Sequence, residues 1–249
     1  MLPHRSDIWV ALPKSFVLFR PKDIVSGDFY FFYKKQIETP NLKRSTPNAQ
    51  LFLAVADCTG HGVPGAFMSL IGSGKLHDAV AQSSDPSEIL SFLNLGIKTA
   101  LKQTDDENST RDGMDIALVR IDYEELGATI HYAAANRPIW IVRKNASEME
   151  EIKPTKRAIG GFTDDNQQFE NHEIQLQEGD SFYISTDGFA DQFGGATEKK
   201  LMTKKFKEIL LSIQEKSMKE QEEHLNTFIE KWKNGREQID DILVIGVRV

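Results

Sequence analysis

Cysteine is almost missing from this chain of 249 residues, where Cys58 stands alone. A disulfide within the chain is thereby excluded, and a reducing, cytoplasmic setting is expected. Long apolar runs are missing as well. No stretch approaches the roughly 20 apolar residues of a membrane span, and no apolar run follows a basic N-terminal start. Neither membrane contact nor a signal peptide is therefore read from the sequence. Positive charge is in deficit, with a formal net charge of -7. That balance argues against a nucleic-acid surface, because phosphate contacts need clustered Lys and Arg. Lys199-Lys200 and Lys204-Lys205 alternate with apolar positions and read as the wet face of a helix. Asn108-Ser-Thr and Asn145-Ala-Ser fit the glycosylation pattern and, without a secretion signal, read as polar turns.

What the chain does have is a 40% hydrophobic content, enough for a sizeable core. No repeat, low-complexity tract or long linker divides it, so residues 16–249 read as one domain and 1–15 as a lead-in. Strand-like runs fall at 16–19, 24–34, 50–57, 115–123, 128–135, 138–143, 172–177, 180–186 and 241–248. Thr39 to Pro47 reads as a polar connection. A helix is expected over 64–82, with Phe67, Leu70, Ile71 and Gly74 on one face. Asp85-Pro86-Ser87-Glu88 supplies a cap, a first-turn proline and a capping-box glutamate for a second helix, whose apolar face carries Ile89, Leu90, Leu93, Ile97 and Leu101. Two later helices run through Met202 to Ile213 and through Leu225 to Trp232, with Gly235 as a stop. Strands in hairpin-like succession with helices set apart predict an α+β fold, a layered arrangement of antiparallel sheets.

The segment Leu51-Phe-Leu-Ala-Val-Ala-Asp57-Cys-Thr-Gly-His-Gly62 is a buried strand that ends on a carboxylate, followed by a glycine-rich turn. Asp28, Asp187 and Asp240 have similar settings. Carboxylates suit hard divalent cations such as Mg²⁺ and Mn²⁺. Two such ions about 3.5–4 Å apart share a bridging carboxylate and acidify a bridging water. Each aspartate alone also fits a turn; four at strand ends favour the metal reading.

Gly27-Asp28-Phe29, Val55-Ala-Asp57-X-X-Gly-His-Gly-Val-Pro-Gly-Ala66, Tyr132-Ala-Ala-Ala-Asn136-X-Pro138, Ser185-Thr-Asp187-Gly188 and Asp240-Asp241 resemble, in order, the motifs of a bacterial serine phosphatase. The family is the stage II sporulation protein E type, a branch of the metal-dependent protein phosphatases related to protein phosphatase 2C. The resemblance runs from about residue 16 to the C-terminus. It implies two antiparallel β-sheets face to face, flanked by helices, with two Mn²⁺ or Mg²⁺ ions at one end. Asp57 resembles the carboxylate that bridges the ions, with the carbonyl of Cys58 facing one of them. Asp28 resembles a carboxylate held near them, and Asp187 and Asp240 the remaining ligands. Asp240 and Asp241 alternate on a strand, so only one should reach the ions, and the family pattern favours the first. The implied reaction is attack of a metal-bridging water on phosphoserine or phosphothreonine, without a phosphoenzyme.

Departures from the related eukaryotic pattern matter for three positions. His61 follows Asp57 at a different spacing, so it reads as a turn or substrate-proximal residue ahead of a general acid. The arginine that precedes the first aspartate elsewhere is replaced near Asp23, leaving Arg20 or Lys22 as weak substitutes. Asp112 or Asp115 lies where relatives sometimes hold a third metal. Asp191 reads as a local cap and Asn136 as a turn former. Cys58 is not a phosphatase nucleophile, since Pro64 stands where an arginine is required. Gly72-Ser-Gly-Lys75 lacks the rest of a phosphate loop, and no serine-protease triad can be assembled. The resemblance further implies a phosphorylated regulatory protein as substrate, such as an antagonist of an anti-sigma factor, and a homodimer or upstream sensor domain as partner. A silent phosphoprotein-binding module and a hydrolase of a small phosphorylated metabolite stay open as alternatives.

Overall fold

A computed structural model describes residues 2–36, 49–104, 109–125, 127–196 and 198–249. The Thr39 to Pro47 connection and Asn108 lie outside the described residues. The strands are β1 (Ser15–Arg20), β2 (Phe29–Gln36), β3 (Ala49–Cys58), β4 (Gly113–Glu124), β5 (Gly127–Ala135), β6 (Ile139–Val142), β7 (Glu150–Ile152), β8 (Ile159–Gly160), β9 (Asn171–Leu176), β10 (Ser181–Ser185), β11 (Phe193–Gly194), β12 (Lys199–Lys200) and β13 (Ile242–Arg248). The helices are α1 (Arg5–Ala11), α2 (Gly62–Gln82), α3 (Pro86–Ala100), α4 (Gly188–Asp191), α5 (Thr203–Ser212) and α6 (Met218–Lys233). None of the described helices is long and apolar enough to cross a membrane.

Alternation along β3 shows how the layers form. Leu51, Leu53 and Val55 join one core, while Phe52, Ala54 and Ala56 join another, and all six are buried. One sheet has the order β2-β3-β4-β5-β9, with β8 against β4; the other runs β1-β13-β10-β6-β7. Every pairing between these strands is antiparallel. Between the sheets, Leu53, Val55 and Val119 meet Ile141, Phe182, Ile184 and Ile245. Helices α2 and α3 cover the outer face of the first sheet through Met68, Leu76, Leu93 and Ile97. Helices α5 and α6 cover the second through Phe206, Leu210, Leu225 and Ile229, which pack on Trp140 and Tyr183. The expected α+β sandwich is the fold observed.

Several local expectations need correction. Most of the face read on α2 is turned outward, with Phe67 and Leu70 64% and 61% exposed and only Ile71 packed partly on the core. Gly65, Met68, Gly72, Leu76, Ala79 and Val80 are buried instead, because the helix approaches its sheet through small residues. Glu88 does not close a capping box on α3. It accepts from the Ser83 hydroxyl, which in turn accepts from the Asp85 N–H; the reciprocal box is at Ser217 and Glu220 of α6. The run at 24–34 becomes strand only from Phe29, since the preceding loop is tied down by side-chain contacts described below. Helix α1 carries no long periodic pattern, yet its Ile8 and the following Leu12 are buried against the inter-sheet core. Asn145 does lie in a turn, with φ 61°.

Candidate metal centre

Register brings the first two carboxylates together. Asp57 and Asp115 are directly opposite across β3 and β4, on the face that continues Leu53, Val55, Ala117 and Val119 towards the second sheet. Like charges opposed this way repel. From the second sheet come Asp187, just after β10, and Asp240, just before β13. The turn between β5 and β6 sends Arg137 into the group. Its Nη2 donates to Asp57 Oδ2 at 2.8 Å, Asp115 Oδ2 at 3.1 Å and Asp187 Oδ2 at 2.9 Å. Asn136 makes that turn possible: its φ of 60° is the left-handed conformation that asparagine tolerates, and its Nδ2 donates to Asp115 Oδ1 at 2.8 Å. The Tyr132 hydroxyl donates to the Arg137 carbonyl at 2.6 Å and anchors the turn.

Asp28 is delivered by a separate device. Asp241 Oδ1 accepts from the Lys22 N–H at 2.8 Å, and its Oδ2 accepts from Gly27 at 2.8 Å and Asp28 at 3.3 Å. The loop is pinned beside the β3–α2 turn so closely that a Cβ at Gly27 would lie 2.4 Å from the Gly60 carbonyl oxygen, and one at Gly65 2.3 Å from the same atom. Glycine is required there by space. Asp28 itself is buried, and its Oδ2 has no hydrogen-bond partner. Asp240 and Asp241 thus divide the work as the strand alternation suggests, although both precede β13: Asp241 holds the loop, and Asp240 lies with the other carboxylates.

The electrostatics follow from burial and crowding. Burial, then repulsion from Asp187, Asp240 and Asp115, pushes Asp57 up to about 8 even though Arg137 opposes the shift. Burial raises Asp28 well above the usual carboxylate range, with Asp57 adding to it. Asp240 is raised by burial and then by Asp187. Burial disfavours the charged Arg137, but Asp57, Asp187 and Asp115 outweigh it and hold the guanidinium protonated. One guanidinium does not balance this many carboxylates.

The remaining candidates occupy defined places. His61 immediately precedes α2 without capping it through its side chain, its Nδ1 3.2 Å from Asp23 Oδ2 and its Nε2 3.3 Å from Lys22 Nζ. The Cys58 thiol is buried and its pKa is raised, by burial and then by Asp28. Asp112 is engaged by the hydroxyls of Thr59, at 3.0 Å, and Thr110, so of the third-metal pair only Asp115 reaches Arg137. Arg20 turns to Glu230 and Asn226 on α6. Asp191 pairs with Lys200 at 2.7 Å. A cleft of about 420 Å³ opens beside Asp57 and Asp115, with Arg111, Lys156, Arg157 and Phe162 on its walls. Arg111 lies over the Phe162 ring, 4.0 Å from its centroid.

Sequence reasoning left Arg137 as the blank in Asn136-X-Pro138. The available signal was a cation placed between two turn formers at the end of an apolar strand. Among the described residues no three His, Cys, Asp or Glu side chains stand as a closed ion cage; Arg137 Nη2 lies among three of them. The donor chemistry nevertheless fits a hard divalent cation. The acceptors that converge there are all carboxylates, the ligands such ions prefer, and Asp28 Oδ2 is orphaned in the interior.

Comparison with known proteins agrees with this geometry. The chain matches the family model for stage II sporulation protein E (SpoIIE) over residues 47–249. It is similar to the SiaA-PP2C domain of Pseudomonas aeruginosa, with 28% identity and a TM-score of 0.82 over 100% of this chain and 91% of that one. It shares its fold with the PP2C phosphatase domain of the cell fate determinant SpoIIE from Bacillus subtilis, solved with a fragment of its regulatory domain. There identity is 17% and the TM-score 0.69, over 94% of this chain and 61% of that one. RsbX in complex with magnesium has the same fold at 19% identity and a TM-score of 0.57, over 94% of both chains. No curated protein matches the chain. A carboxylate cluster at one end of a two-sheet sandwich, together with a family match over most of the sequence, means that the chain belongs to the stage II sporulation protein E family and is a serine/threonine protein phosphatase.

Proposed function

We propose that this phosphatase is metal-dependent and that it dephosphorylates phosphoserine or phosphothreonine on a regulatory protein. The observation that carries the reading is the convergence of Asp57, Asp187, Asp240 and the orphaned Asp28 from both sheets. In this reading Asp57, Asp187, Asp240 and the Cys58 carbonyl hold two Mn²⁺ or Mg²⁺ ions, with Asp28 beside them. Bound there, the ions supply Lewis acidity and make water acidic enough to act as a nucleophile near neutrality.

The chain's own residues do the rest. Asp57 at the end of β3 is held by the strand ladder, so its position is fixed before substrate arrives. Asp241 fixes Asp28 through the loop N–H groups. Arg111, Lys156 and Arg157 face the cleft that Asp57 and Asp115 share, and their charge attracts a phosphate dianion to an otherwise acidic molecule. His61, held between Asp23 and Lys22 three residues beyond Cys58, is read as a substrate-proximal residue. We read residues 16–249 as the catalytic domain, working in the cytoplasm as the output of an upstream sensor or as a homodimer. An antagonist of an anti-sigma factor is the substrate class that the family suggests.

The test is hydrolysis of a phosphoserine peptide with Mn²⁺, with Mg²⁺ and with chelator, alongside Asp57→Asn. Metal-stimulated turnover that drops at least about a hundredfold in the variant is expected, with folding intact by circular dichroism. Equal turnover by the variant would remove Asp57 from the site.

A further inference from the structure

Arg137 is bound in a way that suits neither partner. Nη2 carries two hydrogens but lies within 3.1 Å of three carboxylate oxygens, one each from Asp57, Asp115 and Asp187. At least one of the three therefore shares a hydrogen and is bound chiefly as to a point charge. At the other end of the side chain, Nε is buried with no hydrogen-bond partner. A guanidinium that was the intended occupant would be met by a planar fork of acceptors. Here one nitrogen is surrounded by carboxylates from three separate strands or turns, as a small cation would be. The backbone of Arg137 is held independently by the Tyr132 hydroxyl, and the turn by Asn136, so the side chain can leave without refolding the turn.

We propose that Arg137 is a built-in counter-cation of the carboxylate cluster, competing with divalent metal for Asp57 and Asp187 and so setting the metal concentration at which the site loads. This rests on the metal reading of the previous section. The oxygens that hold Nη2 belong to aspartates assigned to the ions, and a positive charge in contact with those oxygens repels an arriving ion. The guanidinium stands between the opposed Asp57 and Asp115 and reduces their repulsion. Loading requires its three contacts to open. Arg137 is thus a positioning and gating residue, not a catalytic one, and its effect is on affinity for metal. A supporting role, in which the guanidinium orders the carboxylates for the ion, predicts the opposite sign.

Mn²⁺ binding is measured by electron paramagnetic resonance titration of free ion with wild-type protein and with Arg137→Gln. Because each charge-assisted contact is a strong one, the variant is expected to bind Mn²⁺ at least about tenfold more tightly. Unchanged or weaker binding in the variant, with wild type binding normally, overturns the proposal and leaves the metal reading standing. No binding to either protein overturns both. Binding by the variant alone supports the proposal in its strongest form. Should Arg137→Gln fail to fold, the wild-type arginine Nε–Hε resonances under Mg²⁺ titration answer the same question. The Arg137 signal should move with the midpoint of metal binding, and a signal indifferent to Mg²⁺ at saturation would overturn the proposal.

Discussion

Adjacent aspartates in this chain have opposite energetics. Asp241 accepts three backbone N–H bonds from the Lys22 to Asp28 loop, and a carboxylate so bonded is strongly stabilising. Asp241→Ala is expected to lower stability by on the order of 2–3 kcal/mol in urea unfolding. Asp240 is different: burial and then Asp187 raise its pKa, so ionised Asp240 is a net cost to the fold. Asp240→Asn should therefore match or exceed wild-type stability in chelator at neutral pH and, on the metal reading, should gain none of the stability that Mn²⁺ is expected to add to wild type. Destabilisation of Asp240→Asn as large as that of Asp241→Ala would show that both carboxylates serve the fold. The sequence made the separation of the pair legible, because neighbours in extended chain point apart. It could not show what Asp241 holds, since the N–H groups it caps lie more than two hundred residues earlier and belong to a loop without periodicity. What Arg137 holds was illegible for a related reason: its three partners come from β3, β4 and the turn after β10.

At the scale of elements, α2 carries the sharpest lesson. Its existence was legible, but its buried face was not, because hydrophobic spacing points to Phe67 and Leu70 while close approach selects Gly65 and Gly72. A Cβ at Gly65 would lie 2.3 Å from the Gly60 carbonyl oxygen, whereas at Gly74 nothing lies within 4 Å. Gly65→Ala should cost about 1–3 kcal/mol and move the turn after Asp57. Gly74→Ala, in open helix, should add roughly 0.5–1 kcal/mol of stability. Thermal melts of both variants check this, and equal effects would contradict the packing described. Helix α3 was better predicted, since Asp85 caps it by accepting from the Ser87 N–H at 2.8 Å and the Glu88 N–H at 3.2 Å. Burial opposes the ionised form, but the Ser87 hydroxyl and these N–H groups outweigh it and lower the Asp85 pKa. A depressed folded pKa means that the contribution is complete above the ordinary carboxylate range and is lost as pH falls through the folded value. Asp85→Ala is expected to cost about 1 kcal/mol at pH 7, and the gap to wild type should close on acidification. A gap independent of pH would assign the loss to something other than the carboxylate cap.

At the scale of the whole molecule, the layers were legible because both sheets bury both faces. The sequence therefore reads as unbroken apolar runs in β3, β10 and β13, and as one-sided helices at α3, α5 and α6. The short strands β7, β8, β11 and β12 and the short helices α1 and α4, too brief for any period, escaped. The same stacking explains why the site is where it is. Strand ends from two sheets meet at one edge of the inter-sheet core, where carboxylates can be rigid and half-buried while a cleft opens beside them. The central claim is that this edge is built for two divalent ions that displace Arg137. It is tested most directly by anomalous diffraction at the manganese edge from crystals of the protein grown with Mn²⁺. Two peaks about 3.5–4 Å apart, flanking Asp57 and reached by Asp187 and Asp240, are predicted, with Arg137 withdrawn from all three carboxylates. Saturating Mn²⁺ with no peak at Asp57, and Arg137 Nη2 still between Asp57, Asp115 and Asp187, would contradict the account.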